Sequence, residues 1–335
     1  MNRENNITGN KPESDLSQEK LLEVKDLTVE FRLDAGILSA NANVSLGVNR
    51  GKTLGIVGES GSGKSVFCRT ILRLLPSPPA YIKSGKVLFN GRDLLECSEI
   101  EMQHIRGAEI SMIFQDPMSC LNPVFKIGEQ ISESLRLHNQ FSKKEAREVS
   151  LSLLRQVGIP SPERRIDDYP HHLSGGMRQR VMIAMAISSK PKLLLADEPT
   201  TALDVTIQDQ ILAMMLQLQE QAGMSIILVS HDLGVVAETS DQVAVMYAGH
   251  VMEFAPTTTI FRNPKHPYTV GLIRSIPSMK EVSERLIPIK GQPPNFLKLP
   301  EGCPFTERCP VADPEFCLNT PVSLKYVGPE HYTNC

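Results

Sequence analysis

Long apolar runs are missing from this chain of 335 residues. None approaches the ~20 residues that a helix needs to cross a bilayer. The longest candidates, 181–187 and 225–229, have the length of core segments. The N-terminus lacks an apolar stretch of the secretory type, so no export signal is expected. An excess of one charge is also missing. The formal charge of −3 leaves no footprint for nucleic acid or an anionic membrane surface. No internal repeat is visible. The seven cysteines contain no C-x2-C pair, the usual spacing of structural zinc ligands.

What remains is ordinary globular composition, with 41% hydrophobic and 22% charged residues. The length suits one large domain with an appendage, or two domains. Residues 1–20 are polar and are expected to be disordered.

One octapeptide organises the rest: Gly58-Glu59-Ser60-Gly61-Ser62-Gly63-Lys64-Ser65. It fits the phosphate-loop pattern G-x-x-x-x-G-K-[S/T]. An apolar run, 54–57, enters it, and a helix-compatible run, 66–75, leaves it. Its glycines let successive N–H groups turn towards an anion, and the helix N-terminus adds partial positive charge. Lys64 is placed to reach the β/γ-phosphates, and Ser65 offers a hydroxyl to Mg²⁺.

Short apolar strands alternate with helical patterns along the chain, which predicts an α/β fold with a parallel sheet flanked by helices. Strands are expected at 21–31, 38–46, 85–89, 110–114, 193–196 and 225–229, with a last pair at 243–246 and 250–253. Residues 124–159 turn helical. A capping box, Ser142 with Glu145, opens an apolar face of Ala146, Val149, Leu153, Leu154 and Val157. Residues 116–175 therefore read as a helical insertion. Further helices are expected at 177–189 and 206–222. From about Pro256 the chain becomes Pro-rich and helix-poor, apart from a short helix at 266–275.

Ligands of open α/β sheets collect beyond the C-terminal strand ends. Asp197 and Glu198 follow a buried strand; one can hold Mg²⁺ and the other can orient an attacking water. Gln115 and His231 end two other strands, where a γ-phosphate contact competes with a plain structural role. Phe31 closes the first strand, as a nucleobase platform or as core. Ser174-Gly175-Gly176 starts a helix and forms a second anion-binding N-terminus, or a simple N-cap. His171, His172 and His266 are read as structural.

In their order these motifs resemble the ATP-binding subunits of ABC transporters: GESGSGKS at 58–65, Gln115 in MIFQDP, LSGGMRQR at 173–180, LLLADEP at 193–199, ALD at 202–204 and SHD at 230–232. The resemblance implies a RecA-like P-loop NTPase: a parallel sheet core with an antiparallel β subdomain and a helical insertion, spanning 21–255. A small Cys-rich extension covers 256–335. It implies ATP contacts from Phe31, Gly58, Ser60, Gly61, Ser62, Gly63, Lys64, Ser65 and Val66, and Mg²⁺ contacts from Ser65, Gln115 and Asp197. Glu198, His231 and Gln115 take the catalytic positions. Ser174, Gly175 and Gly176, with Asp204 of the ALD loop, face the ATP of a partner in a head-to-tail dimer.

QDPMSCLNP at 115–123, YPHHLSGGM at 169–177, KHPYTVGL at 265–272 and the tail GCPFTERCP resemble the dipeptide and oligopeptide permease group. Nickel and glutathione importers share these features. Cys120 departs from the pattern, which has a Ser or Thr-like residue there. The resemblance implies a second ATPase subunit, two membrane permeases and an extracytoplasmic binding protein, with this chain peripheral on the cytoplasmic face. In such a reducing compartment, clustered Cys303, Cys309, Cys317 and Cys335 read as metal or cluster ligands before disulfides. The resemblance points to a [4Fe–4S] cluster; zinc and no metal stay open. A soluble ABC ATPase without a transporter is the competing class, but long coiled-coil insertions and duplicated cassettes are absent. A purely regulatory nucleotide-binding module is disfavoured by the intact Glu198.

Overall fold

The computed structural model describes residues 20–116, 120–201, 204–275 and 288–335. The tail expected to be disordered, Pro117 of the QDP run, and Ala202 and Leu203 of the ALD run lie outside these. The description that follows is of the described residues.

Two sheets face each other. The first is antiparallel, in the order β2-β1-β4-β5, built from β1 (Lys20–Leu33), β2 (Gly36–Asn49), β4 (Ala80–Phe89) and β5 (Arg92–Asp93). The second has the order β11-β12-β10-β9-β3-β8-β7-β6. Its parallel part comprises β6 (Ile110–Ile113), β7 (Leu193–Asp197), β8 (Ser225–Ser230), β3 (Thr53–Val57) and β9 (Gln242–Tyr247). Every residue of β3, β7 and β8 is buried. That is why these strands read as unbroken apolar runs rather than alternations: both faces are covered.

One face carries the antiparallel sheet and helix α1 (Lys64–Ile71); Leu27, Val29, Ile56, Phe67 and Val229 share that core. The helical insertion covers the other face. It contains α3 (Ile127–Asn139) and α4 (Lys143–Gln156), following α2 (Glu99–Ile105), and the short α5 (Pro162–Arg165). Ser142 and Glu145 form both halves of the capping box, and Ala146, Leu153, Leu154 and Val157 are buried. Helices α6 (Gly175–Ile187) and α7 (Val205–Ala222) complete that face, and Ile211, Met214 and Leu218 of α7 are buried. Helix α8 (Leu233–Thr239) follows β8.

Three expectations need correction. Helix α1 stops at Ile71 rather than Leu75, and Arg73 turns left-handed at φ 52° ahead of the Pro76 region. Helix α2 was not expected, although Ser98 and Glu101 form a complete capping box. The strand pair β9 and β10 (His250–Pro256) is not the last. The tail adds β11 (Lys325–Gly328) and β12 (His331–Thr333) to the main sheet, with Glu253 opposite Thr333. Strands of three and four residues are too short to show a period in sequence.

The tail is therefore sewn into the sheet. Between β10 and the hairpin lie α9 (Thr257–Arg262), α10 (Pro267–Arg274) and α11 (Pro314–Asn319). Glu253, 0% exposed, is the stitch. Its carboxylate accepts from the backbone N–H of Lys265 at 2.7 Å and of His266 at 2.9 Å, and lies 2.7 Å from His331 Nε2. Burial holds the His266 imidazole down at about 4, against the pull of Glu253, so this ring is neutral and accepts from Tyr268 N–H. Glu253→Ala strips the acceptor from the N–H groups of Lys265 and His266 and the partner from the buried His331 ring. The expected loss is about 3–5 kcal/mol, the usual cost of breaking a buried pair. Thermal or urea unfolding checks it; a loss under about 1 kcal/mol contradicts this role for Glu253.

Candidate functional site

The phosphate-loop candidate lies where β3 ends and α1 begins. Gly58 has φ 155° and Gly63 has φ 98°, conformations that side chains resist. A Cβ on Gly58 would sit 2.1 Å from Met246 O, and one on Gly63 2.2 Å from Ala40 O. The loop is gripped from several sides. Asn41 Nδ2 donates to Gly63 O at 3.1 Å, Gly249 N–H donates to Ser62 O at 3.1 Å, and Glu59 N–H donates to Tyr268 Oη at 3.0 Å. Lys64 is buried inside the curl. Its Nζ donates to Gly58 O at 2.8 Å and Glu59 O at 3.0 Å. Burial lowers its pKa, while Glu198, Asp197 and Glu59 pull the other way. Ser60 and Gly61 are exposed, Ser62 is buried and Val66 is half-buried.

Ser65 Oγ donates to Asp197 Oδ1 at 2.8 Å. Asp197 is fully buried, and its Oδ2 has no partner. Burial raises its pKa, with Ser65 and Arg69 opposing. An orphaned carboxylate oxygen beside a hydroxyl, at the foot of a phosphate loop, fits a hard divalent cation. Such an ion is held by one carboxylate, a hydroxyl and substrate phosphates rather than by an all-protein cage. Consistent with that, no group of three or more His, Cys, Asp or Glu is drawn together as a metal cage among the described residues.

Three strand ends converge on Glu198. Its backbone is left-handed at φ 48°, a conformation held by Glu198 N–H donating to Val229 O at 3.0 Å. Its Oε2 accepts from Gln115 Nε2 at 3.1 Å and Thr201 Oγ1 at 2.8 Å. His231 Nδ1 lies 3.4 Å from the same oxygen, with the ring 62% exposed. Gln115, Glu198 and His231, far apart in sequence, thus share one carboxylate oxygen. Phosphoryl chemistry asks for this: a fixed base with neutral donors beside it.

Phe31 lies on β1 between Leu38 and Ala80, half-buried against the core. Ser174 caps α6 by accepting from Met177 N–H at 3.3 Å; Ser174 and Gly175 are exposed. Helix α6 is tied to the Glu198 loop through Gln179 Nε2, which donates to Pro199 O. Asp204 is the N-cap of α7 but makes no side-chain cap bond and is exposed. Ser174, Gly175 and Asp204 are therefore open to solvent, while Gly176 is half-buried beside Ile207.

The four tail cysteines are free thiols. Burial pushes the Cys303 thiol up, and Cys317 and Cys309 add to this; Cys335 is pushed up in the same way by burial, Cys309 and Cys317. Each of the four thus lies within electrostatic reach of others in the set. The four thiols are nevertheless not drawn together as a ready metal-ligand group.

Sequence reasoning missed Asn41, Thr201, Gln179, Tyr268 and Arg308. Tyr268 stands inside the KHPYTVGL run, where a signal was present but no residue was assigned. Asn41 carries no signal: its role depends on β2 passing under the loop.

Residues 41–201 match the family model described as ABC transporter, and residues 252–317 the one described as oligopeptide/dipeptide transporter, C-terminal region. The chain is 52% identical over 294 residues to the oligopeptide transport ATP-binding protein OppD of Bacillus subtilis, covering 88% of this chain and 82% of the relative. It is 51% identical to the dipeptide transport ATP-binding protein DppD of the same species, covering 87% of each. A putative peptide import ATP-binding protein of Brucella melitensis is 47% identical over 96% of this chain and 98% of its own length. Among solved structures, a dimeric ATP-binding cassette in a post-hydrolysis state with ADP and phosphate matches at TM-score 0.64 and 28% identity, over 70% of this chain and 98% of its own.

Lys64→Ala removes the one buried ammonium at the phosphate loop. Binding of a fluorescent ATP analogue with Mg²⁺ is expected to fall at least about a hundredfold, the scale of lost charge-assisted contacts. Unchanged affinity in a direct titration refutes the loop's assignment.

Proposed function

We infer the working role of this chain from one premise: it belongs to the ATP-binding subunits of ABC transporters, in the oligopeptide and dipeptide transporter group. It hydrolyses ATP, and that hydrolysis drives the import of di- and oligopeptides. Subunits of this kind work on transmembrane permeases, and no helix of the described residues is long and apolar enough to cross a membrane itself.

The finer reading is as follows. ATP lies on residues 58–65 with its base against Phe31. Ser65 and Asp197, with Gln115 near, would hold Mg²⁺, which when bound would screen phosphate charge. Glu198 accepts the proton of the attacking water, His231 holds the γ-phosphate, and Gln115 senses its presence. Ser174, Gly175, Gly176 and Asp204 complete the ATP site of a second ATPase subunit, which is a paralogue. The exposure of Ser174, Gly175 and Asp204 supports that reading, as does the dimeric state of the matched cassette. An extracytoplasmic binding protein delivers the peptide, and this chain works at the cytoplasmic face. The observation that carries most weight is the meeting of Gln115, Thr201 and His231 on one oxygen of Glu198.

Glu198→Gln keeps the shape and removes the base. It is expected to bind Mg-ATP, stay dimeric with ATP, and hydrolyse at least about a hundredfold slower. Turnover within about tenfold of the parent removes Glu198 from this role. In vesicles carrying the whole transporter, excess di- and oligopeptides should suppress labelled-peptide uptake; suppression by Ni²⁺ or glutathione alone would assign the cargo otherwise.

For the tail we propose that Cys303, Cys309, Cys317 and Cys335 hold a [4Fe–4S] cluster with a structural role, since hydrolysis moves no electron. Protein purified without oxygen should be brown and contain about four iron atoms per chain. A colourless, iron-free and equally stable preparation argues against the cluster.

A further inference from the structure

The C-terminal extension reaches the phosphate loop. Arg308 ends the 3₁₀ turn Thr306–Arg308, set between Cys303 and Cys309. The turn is held by its own bonds: Thr306 Oγ1 donates to Cys303 O at 2.7 Å, and Cys309 N–H to Thr306 O at 3.3 Å. From it the Arg308 guanidinium makes a two-pronged pair with Glu59, at 2.8 and 3.1 Å. It also donates to Tyr247 Oη at 3.1 Å, and its Nε donates to Lys290 O at 3.0 Å. The side chain of Arg308 is 7% exposed and that of Glu59 27%. Glu59 is the second residue of the loop. Two residues further on, a Cβ on Gly61 would stand 3.4 Å from the Phe296 ring. Tyr268, Phe296 and Arg308, all from beyond residue 255, thus bear on residues 59–61.

We propose that Arg308 is a positioning residue for ATP binding, acting on the phosphate loop through Glu59. This rests on the reading that residues 58–65 bind ATP. Two physical effects carry it. The bidentate fork fixes Glu59 in direction as well as distance, which a single contact does not. It also neutralises a carboxylate close enough for its charge to be felt at Lys64. Left alone, that negative charge repels the polyphosphate the loop must hold. Arg308 touches neither the phosphates nor Glu198. It therefore acts on ground-state and transition-state binding alike, which changes KM and leaves kcat in place.

The test is ATP affinity and steady-state hydrolysis of the assembled protein carrying single substitutions. Arg308→Ala should weaken binding of a fluorescent ATP analogue about tenfold, the size of one lost charged hydrogen bond, and raise KM with kcat held within about twofold. Arg308→Lys restores the charge without the fork and should recover part of that loss. Arg308→Ala/Glu59→Gln should bind better than Arg308→Ala alone, because the stranded charge is gone. A dissociation constant within about twofold of the parent in Arg308→Ala overturns the proposal, as does a fall in kcat with KM unchanged. Should circular dichroism show Arg308→Ala unfolded, Arg308→Gln keeps the buried stem and one donor, and the same criterion applies. Lys64→Ala separates the two readings. If it still binds ATP, the loop assignment is wrong; if it does not, while Arg308→Ala binds as the parent does, only the brace is wrong.

Discussion

Backbone meets backbone at the phosphate loop, and the surrounding structure depends on that contact. Gly58 lies against the carbonyl of Met246, and Gly63 against that of Ala40, with room for no side chain at either. Met246 belongs to β9 and Ala40 to β2, so the loop is wedged between the two sheets. The wedge fixes where α1 starts, and with it Lys64 and Ser65. Asn41, Gly249 and Tyr268 then hydrogen-bond the loop in place. Lys64 satisfies the carbonyls of Gly58 and Glu59 from within the loop, while those of Ser62 and Gly63 are met from outside it. Asn41 and Gly249 thus hold the half of the loop that leads into α1, and Tyr268 takes the N–H of Glu59 on the other side.

Charge is concentrated in the same place. Asp197 is buried with one oxygen unpartnered, and Glu198 collects Gln115, Thr201 and His231 on a single oxygen. Two adjacent carboxylates beside a buried lysine form an arrangement that favours folding less than it favours a bound, cation-chelated phosphate. The second anion-binding end, at Ser174, is turned to solvent yet tied to the Glu198 loop through Gln179 and Pro199. A movement of α6 would thereby be passed to the loop that carries Glu198.

Much of this was legible in the sequence because local chemistry announced it. The phosphate loop needs glycine at fixed offsets, so its pattern survives without a structure. The strands β3, β7 and β8 are buried on both faces, so they appear as plain apolar runs ending in functional residues. Strand-end rules mark Gln115, Glu198 and His231 as candidates but leave Gln115 and His231 open between function and structure; the resemblance gives them their positions, and sheet order brings the three together. The rest was hidden because it is long-range. Asn41 supports Gly63 from 22 residues away, and Arg308 reaches Glu59 across 249. Neither has a local signature. The short strands β11 and β12 were invisible for another reason: they pair on an edge, where three or four residues define no period.

The attachment of the extension follows from two carboxylates. Glu253 sits on the last strand of the cassette's own pair, fully buried, and each of its oxygens is answered by residues after 260: Lys265, His266 and His331. Glu59 sits in the phosphate loop, and its oxygens are answered by Arg308. A buried carboxylate without donors is costly enough to change protonation or conformation. A cassette ending at residue 255 would therefore carry one such group beneath its sheet edge, and a second, half-buried carboxylate without its partner in the phosphate loop. It would also bare Val243, Val245, Tyr247 and Met252, which share a core with Ile260, Tyr268 and Phe305. The extension is thus part of what shapes the phosphate loop, which it touches through Tyr268, Phe296 and the cysteine-bracketed turn that carries Arg308.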